Sequence, residues 1–127
     1  MKFRILACLA LVLAIALPVR AADLLGRWIA EFDTQIGLQK YSYAFKLSGD
    51  QITGQATYDH SFGKGTTPLK SIKVDGDKVS FIEMFAADGN EITITYRGTI
   101  VGDELKLTRD VGDFATEQLT AKRAKTE

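Results

Sequence analysis

An all-β fold of eight antiparallel strands in an up-and-down meander, closed or nearly closed into a barrel, is predicted from two features. Glycines punctuate the chain at an almost even interval: Gly26, Gly37, Gly49, Gly63, Gly76, Gly89, Gly102 and Gly112. The stretches between them alternate apolar and polar residues with period two and show no helical period. Gly, Asp and Asn tolerate the positive φ of tight hairpin turns, so Ser48-Gly49-Asp50, Asp75-Gly76-Asp77, Asp88-Gly89-Asn90 and Val101-Gly102-Asp103 read as turns. Seven turns imply eight strands. Closure protects the edges of such a meander; a two-sheet β-sandwich is the competing architecture.

The first strand carries Trp28, Ala30 and Phe32 on one face and Arg27, Glu31 and Asp33 on the other. Tyr41, Tyr43, Phe45 and Leu47 line the inner face of the second, and Ile52, Gly54, Ala56 and Tyr58 that of the third. The Gly-rich stretch from Phe62 to Pro68 reads as the longest loop. Val79, Phe81, Glu83 and Phe85 share a face further on, although Ile82 and Met84 make the opposite face apolar too, as if a second subunit covered it. Ile92, Ile94, Tyr96, Gly98 and Ile100 follow in the sixth strand. Leu105, Leu107 and Arg109 mark the seventh, and Ala115, Glu117, Leu119, Ala121 and Arg123 the eighth.

The amino terminus has the form of an export signal, residues 1–21, leaving one domain over residues 22–127. Lys2 and Arg4 precede an uncharged apolar run from Ile5 to Leu17, Pro18 breaks it, and Val19-Arg20-Ala21 supplies a small-residue cleavage site. The run is too short to span a bilayer. Leu6-Ala7-Cys8 fails as a lipidation site, because the apolar run mostly follows the cysteine. The expected location is therefore periplasmic or secreted. Removal of the signal takes Lys2, Arg4 and Arg20 but no acid, leaving 13 basic and 16 acidic residues, a net charge of −3. That balance argues against nucleic acid as a partner. The only cysteine leaves with the signal and His60 is the only histidine, so neither disulfides nor a metal site are expected. No cofactor is expected, and Lys122, Arg123 and Lys125, balanced by Glu127, do not argue for membrane insertion.

Gly26-Arg27-Trp28 on the first strand of an eight-stranded meander resembles the opening of the calycins, the lipocalin, fatty-acid-binding and avidin-like barrels. In lipocalins this Trp closes the barrel floor under a basic residue from the last strand, which the resemblance places at Arg123. Ile52-Thr53-Gly54-Gln55-Ala56-Thr57-Tyr58 is similar to the second hairpin of avidin-like barrels. Avidin-like proteins enclose biotin with several tryptophans, whereas Trp28 stands alone here, so biotin is not implied. The chain also resembles small secreted bacterial domains with repeated Gly-Asp hairpins, which occur alone or beside carbohydrate-processing enzymes.

Candidate functional residues are the polar ones on apolar faces. Glu83, Arg109, Glu117 and Arg123 would bring two carboxylates and two guanidiniums into the interior, where charge is costly unless paired. One reading has Arg123 covering Trp28 and pairing with Glu117, so that the set satisfies itself; the other gives these groups a ligand. Tyr41, Tyr43, Tyr58 and Tyr96 fall on inner faces, as core filler or as a ring of phenols for a sugar-like or aromatic ligand. The leading expectation is a small-ligand-binding barrel with Tyr41, Tyr43, Tyr58, Glu83, Tyr96 and Arg109 as contacts. A carbohydrate-active hydrolase, or an accessory module of one, using Glu83 and Glu117 is the enzymatic alternative. A structural or oligomer-forming domain with a filled core is the third. A cavity lined by Tyr41, Tyr58, Tyr96 and Arg109 would favour binding, and an interior packed solid would exclude it. Tyr58-Asp59-His60-Ser61 is no catalytic triad, because neighbouring strand side chains diverge. Glu31 and Asp33, roughly 6.5–7 Å apart along a strand, have a glycosidase-like spacing but lie on the outer face.

Overall fold

The computed structural model describes residues 23–61, 63–87 and 89–125. The proposed signal peptide, with Cys8, lies outside the described residues. Eight antiparallel strands follow one another: β1 (Gly26–Thr34), β2 (Gly37–Ser48), β3 (Gln51–His60), β4 (Gly63–Asp75), β5 (Lys78–Ala87), β6 (Asn90–Val101), β7 (Glu104–Val111) and β8 (Ala115–Arg123). Each pairs with its sequence neighbour and β8 returns to β1, closing an up-and-down barrel rather than a sandwich. The turns form where Gly-Asp signals stand. Gly49 and Gly76 take φ of 64° and 65°, which a side chain would strain.

One end, the floor, is sealed by Leu24, Trp28 and Leu105, all fully buried. At the other end, the mouth, the β1–β2, β3–β4, β5–β6 and β7–β8 turns meet. The apolar core fills the floor half with Phe45, Val79, Phe81, Ile100 and Ala121. Two inner glycines sit under aromatic rings from the strand beside them: a Cβ on Gly54 would fall 2.9 Å from Phe45, and one on Gly65 would fall 2.6 Å from the Tyr58 hydroxyl. Leu47 shares a face with Tyr43 and Phe45 but lies past the end of the core and is 57% exposed, which corrects its placement inside.

The segment expected to be the longest loop is strand. From Gly63 to Pro68 its described part pairs with β3, with Tyr58 opposite Gly65 and Ala56 opposite Thr67. The glycines mark close packing under Tyr58 rather than a loop. Pro68 is tolerated because its side chain faces outward and registered pairing with β5 begins only at Leu69. A bulge between Lys70 and Lys73 then changes the side-chain parity, with Ser71 at φ 53°. Leu69 faces inward before it, Ile72 and Val74 after it.

The wall is uneven. β1 and β2 pair along nine residues from Gly26↔Phe45 to Thr34↔Gly37, whereas β1 and β8 register only at Trp28↔Arg123 and Ile29↔Lys122. Above these floor-side pairs the β1–β8 seam is not laddered.

Candidate functional site

The mouth half of the interior holds a connected polar cluster. Arg109 projects inward from β7 and is 2% exposed. Its Nε donates to Glu117 Oε1 at 2.7 Å, its Nη1 to the Tyr96 hydroxyl at 3.0 Å, and its Nη2 to Gln39 Oε1 at 2.8 Å. The rings of Phe32 and Tyr41 lie 4.9 and 5.1 Å from the guanidinium carbon. Burial works against its charge, but the phenol oxygens of Tyr96 and Tyr41 outweigh it and hold the guanidinium protonated.

Glu83, fully buried on β5, accepts from the Tyr41 hydroxyl at 2.9 Å and from the Tyr96 hydroxyl at 2.7 Å. Tyr96 in turn accepts from the Tyr43 hydroxyl at 3.0 Å. Burial raises the Glu83 carboxyl above its ordinary range, and the Tyr96 and Tyr41 bonds and Arg109 offset only part of that. Burial also pushes the phenols of Tyr41, Tyr43 and Tyr96 up. Among the described residues, no buried side-chain nitrogen or oxygen lacks a partner.

One expected pairing is corrected. Arg123 does not meet Glu117: six residues apart on β8, they sit about 20 Å from each other along the strand, one at the floor and one near the mouth. Arg109 is instead the direct cross-strand neighbour of Glu117. Glu83 is held by two phenols. The placement of Arg123 over Trp28 is found: its guanidinium lies 4.2 Å from the Trp28 ring. It also donates to the Leu25 and Asp23 carbonyls at 2.9 and 2.6 Å, and Trp28 Nε1 donates to the Leu24 carbonyl.

Tyr41, Tyr43 and Tyr96 come together with Glu83 and Arg109 as expected of inner-face residues, and their hydroxyls bond one another and Glu83. Tyr58 is set apart, half-buried at the mouth and stacked on His60 with ring centroids 4.8 Å apart. Burial, and then Arg109, lowers the His60 pKa. Ser61 donates to the Ile36 carbonyl, and Glu31 and Asp33 are exposed on the outer face. Phe32, Tyr58, His60 and Phe85, none fully buried, make an aromatic ring around the mouth. Gln39 is the residue the sequence reading missed. It has the parity of Tyr41 and Tyr43 on β2, and that parity was the signal for it. A cleft of about 610 Å³ on the outside of β1, β7 and β8 is lined by Glu31, Phe32, Lys106, Thr108, Gln118 and Thr120, and the neighbouring Leu107 and Leu119 stay buried.

These features define a small closed barrel with an apolar floor and a charged, hydrogen-bonded mouth half. No protein-family model matches the chain, and no curated protein matches it. Among solved structures, a REP1-NXSQ fatty acid transporter is similar in fold, with a TM-score of 0.51 and 14% identity over 84% of this chain and 99% of that one. At that identity the likeness speaks to the barrel alone.

Proposed function

We propose that this protein is an exported, periplasmic or secreted barrel that binds a small apolar molecule with a polar head, the head meeting Arg109. The observation carrying this reading is the buried guanidinium of Arg109, set between Phe32 and Tyr41 beneath a ring of partly exposed aromatics. Binding sites combine apolar walls with a few convergent polar groups in this way. The similar fold of a protein described as a fatty acid transporter supports an apolar ligand, and the signal-like amino terminus supports export. The polar cluster lies in the mouth half of the interior, so the proposed seat is the mouth, beside Phe32, Tyr58, His60 and Phe85.

A filled structural barrel is the second reading, favoured by the complete mutual satisfaction of the buried polar atoms. The hydrolase reading has less support. Glu117 is ion-paired with Arg109, and Glu83 is fully buried and bonded to two phenols.

Displacement of an environment-sensitive fluorescent fatty acid from the purified protein, by alkyl carboxylates, alkyl alcohols and oligosaccharides, separates the readings. Saturable one-site displacement by alkyl compounds is expected. A correctly folded protein that binds neither probe nor competitor overturns the proposal and leaves the structural reading.

A further inference from the structure

The wall has a second break, and apolar side chains line this one. β3 and β4 pair from His60↔Gly63 down to Gly54↔Leu69 and no further. On either side the hairpins run on to their tips, β2 with β3 to Ser48↔Gln51 and β4 with β5 to Asp75↔Lys78. Residues 51–53 and 70–75 therefore carry strand edges with no ladder between them. A cleft of about 510 Å³ lies there, lined by Leu47, Ile52, Ile72 and Val74, with Asp50 and Ser71 among its polar members. Leu47 is 57% exposed, and the other three apolar side chains are only half-buried.

An unladdered edge presents backbone N–H and C=O groups. An alkyl chain would leave them unanswered, whereas an extended peptide supplies matching groups at strand spacing. Alternate side chains of such a peptide point inward, toward Ile52, Ile72 and Val74, and those between point outward. Outside, the gap is flanked by Lys46, Lys70 and Lys73, all exposed. Among the described residues none of the three is in an ion pair. Asp50 and Asp75 belong to the hairpin tips, at the floor end of the cleft. Edge lysines and a bulge, here between Lys70 and Lys73 with Ser71 at φ 53°, keep a strand from pairing with a copy of itself. Such an edge disfavours a second copy of this chain, and its charge favours acids.

We infer that the β3–β4 gap is a docking site for an extended peptide segment of another protein, paired along the β4 edge. The segment alternates apolar residues, facing Ile52, Ile72 and Val74, with acidic residues facing Lys46, Lys70 and Lys73. This site is in the floor half, apart from Arg109 and the mouth, and stands independently of the seat proposed there.

The probe is a fluorescein-labelled, end-blocked hexapeptide of alternating valine and glutamate, followed by anisotropy at low ionic strength. Saturable binding is expected, weakened by about tenfold when lysine replaces glutamate. N-methylation of one set of alternate amides should abolish binding, and of the other set should spare it, because a strand adds through one edge. Lys70→Glu combined with Lys73→Glu should weaken the glutamate peptide by about tenfold and strengthen the lysine peptide to the same degree. A damaged fold would strengthen neither. In the parent protein, NMR amide shifts on adding the glutamate peptide should concentrate in residues 51–53 and 70–75. No binding of the glutamate peptide, shifts centred elsewhere, or binding indifferent to both N-methylation and charge reversal overturns the proposal. A concentration-dependent dimer abolished by Lys73→Glu would give the edge to a second copy. Capture of phosphatidylglycerol vesicles without binding of the peptide would give it to a lipid surface, and either result overturns the peptide assignment.

Discussion

Arg109 and Glu117 face each other across β7 and β8 and meet through Nε and Oε1 at 2.7 Å, the guanidinium buried and the carboxylate at the edge of solvent. Removing one partner of a buried pair strands the other groups, and here Arg109 also serves Tyr96 and Gln39. Arg109→Leu is therefore expected to cost about 3–5 kcal/mol in urea unfolding. Adding Glu117→Leu should recover part of that loss, because the stranded carboxylate goes with it. Purely additive losses would show that the two side chains do not act as a pair.

Arg123 and Trp28 form a second, separate unit at the floor. Arg123→Ala removes a cation from the indole face and two bonds to the Leu25 and Asp23 carbonyls. The expected destabilisation is about 1–3 kcal/mol, with Trp28 emission shifted to the red as water reaches the ring. The polar cluster at Arg109 should not respond, because Glu117 is not a partner of Arg123. An unchanged Trp28 spectrum would contradict the covering role.

The strands, their order and most inner faces were legible in the sequence because period-two alternation and Gly-Asp turns are local signals. Glu83, Arg109 and the buried tyrosines stood out as polar groups in apolar rows. Who pairs with whom was not legible. Glu117 could be matched to Arg123 or Arg109 only by knowing the β7–β8 register, which places Arg109 directly opposite it. Gly63 to Pro68 was misread because Gly and Pro usually mark loops, whereas Gly65 here makes room for Tyr58 across the sheet. The incomplete β1–β8 ladder joins residues from opposite ends of the chain and leaves no local trace.

Glu83 gives a pH dependence with a definite sign. Its folded-state pKa is raised, chiefly by burial, so the folded protein holds that proton more tightly than the unfolded chain does. The associated stability is fully present below the unfolded carboxyl pKa of about 4.3 and is lost as pH rises through the folded value. Urea unfolding of the parent and of Glu83→Gln from acid to neutral pH isolates this effect. The parent should lose stability relative to the variant as pH rises, then run parallel to it. The opposite slope would contradict a raised Glu83 pKa.

Gly98 is required by packing rather than by a turn. A Cβ there would run into the Lys106 backbone carbonyl of β7, whereas at Gly54 it would press on the Phe45 ring. A side chain can shift more readily than a paired backbone. Gly98→Ala should therefore cost about 1–3 kcal/mol or more in thermal or urea unfolding, and Gly54→Ala less. Equal effects would argue against close β6–β7 approach at this point.

The assignment of Arg109 as the ligand anchor is tested most directly by the NMR resonance of its side-chain Nε–H as dodecanoate is added. In the free protein that proton is donated to Glu117. The signal should move with dodecanoate and saturate at the concentration where fluorescence displacement saturates, and dodecanol should move it far less. An Nε–H resonance that stays in place while dodecanoate saturates the protein would place the ligand elsewhere and contradict the role given to Arg109.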